Sequence, residues 1–182
     1  MTEKERSFLR HIYAVRALFA LVWAAGLVIA GGELGGATTV LVIAYPAIDV
    51  LASLADARAT RLPVQWLNAG ISAAALIAIA VATGEDTATV LRVFGAWALV
   101  SGAVQLAVAL NRRRRVPGQL PMILSGAIST LAGIGFVSMA SADDPTLTNL
   151  AGYATLGAIF YLVAARGTGG VVAPHANSEI HR

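Results

Sequence analysis

The stretch Leu67–Leu91, LNAGISAAALIAIAVATGEDTATVL, decides the fold. It opens with an uncharged run of Ala, Ile, Leu and Val, breaks at Gly84, Glu85 and Asp86, and turns apolar again at Val90. The first run is too long for a strand and lacks strict alternation, so it reads as helix. It approaches the roughly 20 residues that carry a helix across the hydrocarbon core of a bilayer. The stretch therefore contains one membrane span, an acidic turn and the start of a returning span.

Working outward, the same pattern fills the chain. Six spans are expected, at Ile12 to Ala30, Thr39 to Ala55, Val64 to Thr83, Val90 to Leu110, Leu120 to Ala140 and Leu147 to Ala165. The expected class is all-α: an integral membrane bundle of six transmembrane helices, three helical hairpins in series. Residues 1–11 would form a cytoplasmic segment, residues 12–166 the membrane domain and residues 167–182 a flexible cytoplasmic tail. The totals agree. Of 182 residues, 57% are hydrophobic and 13% charged, and the mean hydropathy is +0.73. A soluble domain carries about 25% charged residues, so the outer surface is expected to face lipid.

The connections alternate in charge. Lys4, Arg6 and Arg10 precede the first span, Arg58 and Arg61 follow the second, Arg112 to Arg115 follow the fourth, and Arg166 and Arg182 follow the sixth. The other three connections hold Glu33, then Glu85 and Asp86, then Asp143 and Asp144, with Arg92 the only basic residue near that side. Basic connections stay in the cytoplasm during insertion, so both termini are expected inside. Basic residues lying between spans act as topology signals. The net charge of +3 therefore does not point to nucleic acid. Another apolar span follows the first directly, so the first is expected to be retained rather than cleaved as a signal peptide. The arginine run at Arg112, Arg113, Arg114 and Arg115 is expected to fix topology and to touch anionic lipid.

Punctuation fits helices. Pro63 and Pro121 fall at span starts, where a missing N–H costs least, and Pro46 inside the second span predicts a kink. Gly70, Ala74 and Ala78, and Ser125, Ser129 and Gly133, recur at four-residue spacing and are expected to let helices approach closely. Trp66 and Tyr13 read as anchors at the lipid interface. An offset of 57 pairs Leu67 with Leu124, Ser72 with Ser129 and Asp86 with Asp143, as a repeated hairpin would.

Thiol catalysis, disulfides and cysteine-bound metals are excluded, because the chain has no cysteine. His11, His175 and His181 have no metal-ligand spacing. No phosphate loop or nucleophile elbow occurs, so neither a cofactor nor an enzymatic activity is expected.

Charges inside spans remain to be explained. Arg16 and Asp49 fall ~7–11 Å inside the same membrane face on helices expected to be neighbours, at 1.5 Å per residue. Asp49, Ser53 and Asp56 share a helix face. Asn68, Gln105, Ser125 and Tyr161 lie at similar depth. Two readings stay open. One is a polar cavity open to the cytoplasm that binds a small anion or carries protons. The other is structural, with Asp49 balancing Arg16 and the amides joining helices.

The tract YPAIDVLASLADAR from Tyr45 to Arg58, with VRALFALVWAAGLVIA from Val15 and AGYATLGAIFYLVAA from Ala151, resembles the HdeD-type membrane proteins. These carry the short repeat domain of unknown function called DUF308. The resemblance implies six helices in a bacterial-type inner membrane and a role in envelope or acid stress, and supplies no catalytic residue. The competing expectation is a small proton or solute transporter or channel built on Arg16 and Asp49.

Overall fold

The computed structural model of the chain describes residues 3–113 and 120–167. Among these, every regular element is a helix: α1 Glu3–Ile29, α2 Gly36–Thr60, α3 Pro63–Ala82, α4 Thr87–Arg112, α5 Leu120–Met139 and α6 Asn149–Gly167. Five of them, α1 to α5, are long and apolar enough to cross a membrane. α6 is not among the five. It is less apolar: it opens on Asn149, carries Tyr153 and Tyr161, and ends on Arg166 and Gly167. α1 begins nine residues before the expected span, because Glu, Lys, Arg and Leu are good helix formers that continue it past its apolar part. The expected tail lies, beyond Gly167, outside the described residues, as do Arg114 and Arg115.

The helices form a closed ring in chain order. Each packs on its neighbours in sequence, and α6 closes the ring against α1. The outer faces are aliphatic: Val15, Leu18 and Val22 on α1 are 63%, 65% and 63% exposed, and Leu51, Ile77 and Leu131 are similarly bare. Apolar surface this extensive marks contact with lipid. The inner faces repeat at helical spacing, as in Arg16, Ala17, Ala20, Trp23, Ala24 and Leu27 of α1, all buried.

The most extensive packing lies between the expected hairpins, at α4 with α5, α1 with α6 and α2 with α3. Gly95 and Gly102 of α4 meet Gly126 and Gly133 of α5 backbone to backbone. A Cβ on Gly133 would lie 2.4 Å from the Leu99 amide nitrogen, and one on Gly126 would lie 2.7 Å from that of Leu106. Both pairs are spaced by seven residues, which holds them on one helix face. Small residues here take the place of hydrophobic driving force, which lipid does not supply between helices. The α1–α6 seam is a smaller version built on Ala17, Ala20 and Ala158. The expected stripe of Gly70, Ala74 and Ala78 proves to be exposed, and a Cβ on Gly70 would meet nothing within 4 Å. The buried face of α3 is Ala69, Ser72, Ala75, Ile79 and Ala82, one position away around the helix.

Ends and turns hold the ring in register. Gly31 and Gly32 take positive φ, and the Gly32 carbonyl accepts the Leu147 amide at 3.0 Å, joining the α1–α2 turn to the start of α6. Arg61 at φ 54 ends α2, and Pro63 starts α3. Pro46 deprives the Val42 carbonyl of its helical partner. The Trp23 indole donates to the next carbonyl, that of Leu41, at 2.5 Å. Asp86 caps α4 by accepting from the Thr89 amide at 2.6 Å. Hydrogen bonds from Thr89 hold the Asp86 carboxyl below the usual carboxylate range. The cap therefore stabilises α4 above that range and fades as pH falls through the depressed value.

Gly133→Val should lower the unfolding midpoint in detergent, followed by circular dichroism, by the equivalent of about 1–3 kcal/mol or more, since backbone must move. Gly135→Ala on the same helix, with open space at its Cβ, should be neutral or stabilising by up to about 1 kcal/mol.

Candidate functional site

Arg16 is 8% exposed on a helix whose other face is aliphatic. A guanidinium there must find partners within the protein. α2 supplies two: Asp49, whose Oδ1 forms an ion pair with Arg16 Nη2, and Ser53, whose Oγ accepts at 3.1 Å. α3 then saturates Asp49. Ser72 Oγ donates to Asp49 Oδ2 at 2.6 Å, and Asn68 Nδ2 reaches the same oxygen at 3.2 Å and Ser53 Oγ at 2.8 Å. From α4, Trp97 Nε1 donates to Ser72 Oγ at 3.2 Å. From α6, the Tyr161 ring lies 5.0 Å from the guanidinium carbon, within cation–π range. One buried cation thus joins α1, α2, α3, α4 and α6.

Asp56, two turns further along α2, belongs to none of this. It is 1% exposed. Among the described residues its Oδ1 is the buried side-chain oxygen or nitrogen with no hydrogen-bond partner. The shared helix face that groups it with Asp49 and Ser53 in the sequence also carries it ~10 Å beyond Asp49, at 1.5 Å per residue.

Asp56 lines a partly open cavity of about 230 Å³ on the axis of the ring, with Tyr13, Gln65, Gln105, Ser125 and Tyr161 from the other helices. The lining runs out to Val64 and Pro121, the second residues of α3 and α5, at the end of the bundle where α1 begins and α6 ends. Toward the other end the axis is filled. Trp23, Tyr45, Phe94, Trp97, Phe136 and Tyr153 pack with ring centroids as close as 4.6 Å for Trp23–Tyr45 and 5.1 Å for Phe94–Trp97. Beyond them Leu27, Ile79, Leu91, Leu147 and Leu150 are fully buried. Edge-to-face and offset pairs of this kind contribute about 0.5–1.5 kcal/mol each beyond their buried area. The cavity is therefore a vestibule with a closed floor.

The structure brings Arg16, Asp49, Ser53 and Asn68 into one hydrogen-bonded cluster. Gln105 stands apart, donating to the Met122 carbonyl at 3.3 Å across the α4–α5 seam while still lining the cavity. Tyr13, read from the sequence as a lipid anchor, turns inward and stacks on Tyr161 at 6.3 Å. Trp66 is 49% exposed on the outside. The aromatic floor was missed in the sequence, although the i, i+3 placement of Phe94 and Trp97 marks one inner helix face. His11 bonds locally to the Ser7 carbonyl, and no group of three or more metal-ligating side chains occurs among the described residues. Arg113 is exposed.

The repeat has a structural counterpart. Ser72 of α3 bonds to Trp97 of α4, and Ser129 of α5 bonds to Tyr153 of α6 at 3.1 Å. Residues 67–138 match the family model of a short repeat of unknown function, DUF308. The chain thus carries the repeat that the resemblance to the HdeD-type proteins implies. No curated protein and no solved structure matches the chain.

In a double-mutant cycle, Asp49→Ala should cost about 3–5 kcal/mol of stability because Arg16 is left buried and unpaired. Arg16→Ala with Asp49→Ala should cost clearly less than the two single changes added together. Strict additivity in detergent unfolding midpoints would contradict the pairing.

Proposed function

We propose that this protein is a multi-pass membrane protein that binds a small solute in a vestibule open to one side. In this reading all six helices cross the bilayer of a bacterial-type inner membrane, both termini are cytoplasmic, and the vestibule opens to the cytoplasm. One observation carries it: a cavity lined from all six helices reaches in from one end of the bundle and stops at a packed aromatic layer. The charge distribution supports the orientation. Arg10, Arg58, Arg61, Arg113 and Arg166 lie at the vestibule end, and Glu33, Glu85, Asp86, Asp143 and Asp144 at the other. The closure of α6 against α1 supports its being a sixth span, since every other member of the ring is apolar enough to cross.

A saturated Arg16–Asp49 cluster is framework in this reading, and neither an open proton wire nor a catalytic pair. Envelope or acid stress is the setting in which we place the protein, on the strength of the family resemblance. The arginines from Arg112 to Arg115 are assigned to anionic lipid on the same membrane face.

The absence of native cysteine makes the test direct. Ser125→Cys in the vestibule should react with a membrane-impermeant methanethiosulfonate in inside-out vesicles and stay unreactive in intact spheroplasts. Ala154→Cys, in the packed floor, should react from neither side. Reaction of Ala154→Cys from the outer face would reveal a passage and convert the reading to a transporter or channel. Unreactive Ser125→Cys from both sides would overturn the vestibule.

A further inference from the structure

The vestibule has a charge and a wall chemistry that select its occupant. Arg16, Asp49 and Asp56 all line the cavity, and their formal charges sum to one negative charge; Arg16 Nη2 is held by Asp49 and Ser53. Arg10, Arg58, Arg61 and Arg166 are exposed, and none of them lines the cavity. Asp56 is left over, a carboxylate whose buried Oδ1 has no partner. Arg16 hydrogen-bonds to Asp49 and Ser53 instead. A buried carboxylate oxygen without a donor costs free energy that a cationic ligand would offset.

Three classes of occupant do not fit. An anion would enter a cavity whose charged lining groups, Arg16, Asp49 and Asp56, sum to one negative charge. A divalent metal needs several oxygen or nitrogen ligands, whereas Asp49, the other carboxylate on the lining, is already held by Arg16, Asn68 and Ser72. A neutral solute would leave the Asp56 charge unbalanced. What remains is a small organic cation. Aromatic faces attract such cations through their quadrupoles, and aromatic walls with one carboxylate suit alkylammonium groups. The size agrees: about 230 Å³ lies below the roughly 300–1,000 Å³ of pockets for drug-sized ligands.

We infer that the vestibule binds a small organic monocation of the alkylammonium class, its charge paired with Asp56 and its alkyl groups against Tyr13, Trp97, Phe160 and Tyr161. This rests on the vestibule reading above and adds the ligand class. Gln65 and Gln105, which also line the cavity, are placed to accept from or donate to a polar arm of the same ligand.

The test uses full-length Ser125→Cys protein in nanodiscs and the small neutral reagent methyl methanethiosulfonate. The probes are choline and its uncharged isostere 3,3-dimethylbutan-1-ol. Ser125→Cys should react, and choline should slow the reaction at concentrations about tenfold lower than the isostere requires. In Ser125→Cys with Asp56→Asn, the reaction should persist and the preference for choline should disappear. If Ser125→Cys does not react at all, the vestibule itself is wrong. If it reacts and choline fails to protect, protects no better than the isostere, or protects equally without Asp56, the ligand class is wrong and the vestibule stands. The comparison of choline with its isostere needs no substitution at Asp56, so it decides the matter even if that variant does not fold.

Discussion

A guanidinium on a helix that faces lipid has to be neutralised inside the protein, and Arg16 sets this constraint on the bundle. Its partners sit on α2, theirs on α3, and theirs on α4, while Tyr161 brings in α6. In water such a cluster would compete with solvent and contribute little. In lipid the alternative is an unsatisfied charge, so the cluster constrains which helices can be neighbours and how each is rotated. The order α1–α2–α3–α4, with α6 returning to α1, is the order in which these bonds are made. The apolar seams then close at other places, by glycine contact between α4 and α5 and by alanine contact between α1 and α6.

Polar and apolar packing therefore hold overlapping sets of helices. Bonds between side chains join α1 to α2, α3 to α4 and α5 to α6, through Arg16–Asp49, Ser72–Trp97 and Ser129–Tyr153, and α2 to α3 through Asp49, Ser72 and Asn68. The most extensive packing joins α4 to α5, α1 to α6 and α2 to α3. A ring built this way leaves space on its axis wherever the inner side chains are too few to fill it. Bulky aromatics fill it at one level. At the level of Tyr13, Gln65 and Ser125 it opens into the cavity, and Asp56 is the carboxylate beside that space whose Oδ1 has no partner.

Much of this was legible in the sequence, for physical reasons. Helix number followed from uncharged apolar runs, since backbone in lipid has no alternative to internal hydrogen bonding. The Arg16–Asp49 contact followed from equal depth on consecutive antiparallel helices. Rotation about each helix axis was not legible. Four-residue spacing is the same on every face of a helix made of Ala, Gly and Leu, so Gly70, Ala74 and Ala78 were placed inward when they face outward. Tyr13 was assigned to lipid for the same reason, because a tyrosine near a helix end suits either an interface or a pocket. Closure of the ring by α6 has no local sequence signal at all. The different roles of Asp49 and Asp56 depend on two helical turns of distance along α2, which spacing alone does not weigh.

Two carboxylates seven residues apart thus differ: Asp49 is bonded into the fold, and Asp56 carries a buried oxygen without a partner, which we assign to a ligand. Thermal unfolding of Asp49→Leu and Asp56→Leu in the same detergent, without added ligand, tests this difference most directly. Asp49→Leu should unfold well below the parent protein. Asp56→Leu, which removes an unsatisfied buried oxygen worth about 1–3 kcal/mol, should unfold at the same temperature or higher. If Asp56→Leu loses as much stability as Asp49→Leu, Asp56 is part of the framework and the vestibule has no charge to offer a ligand.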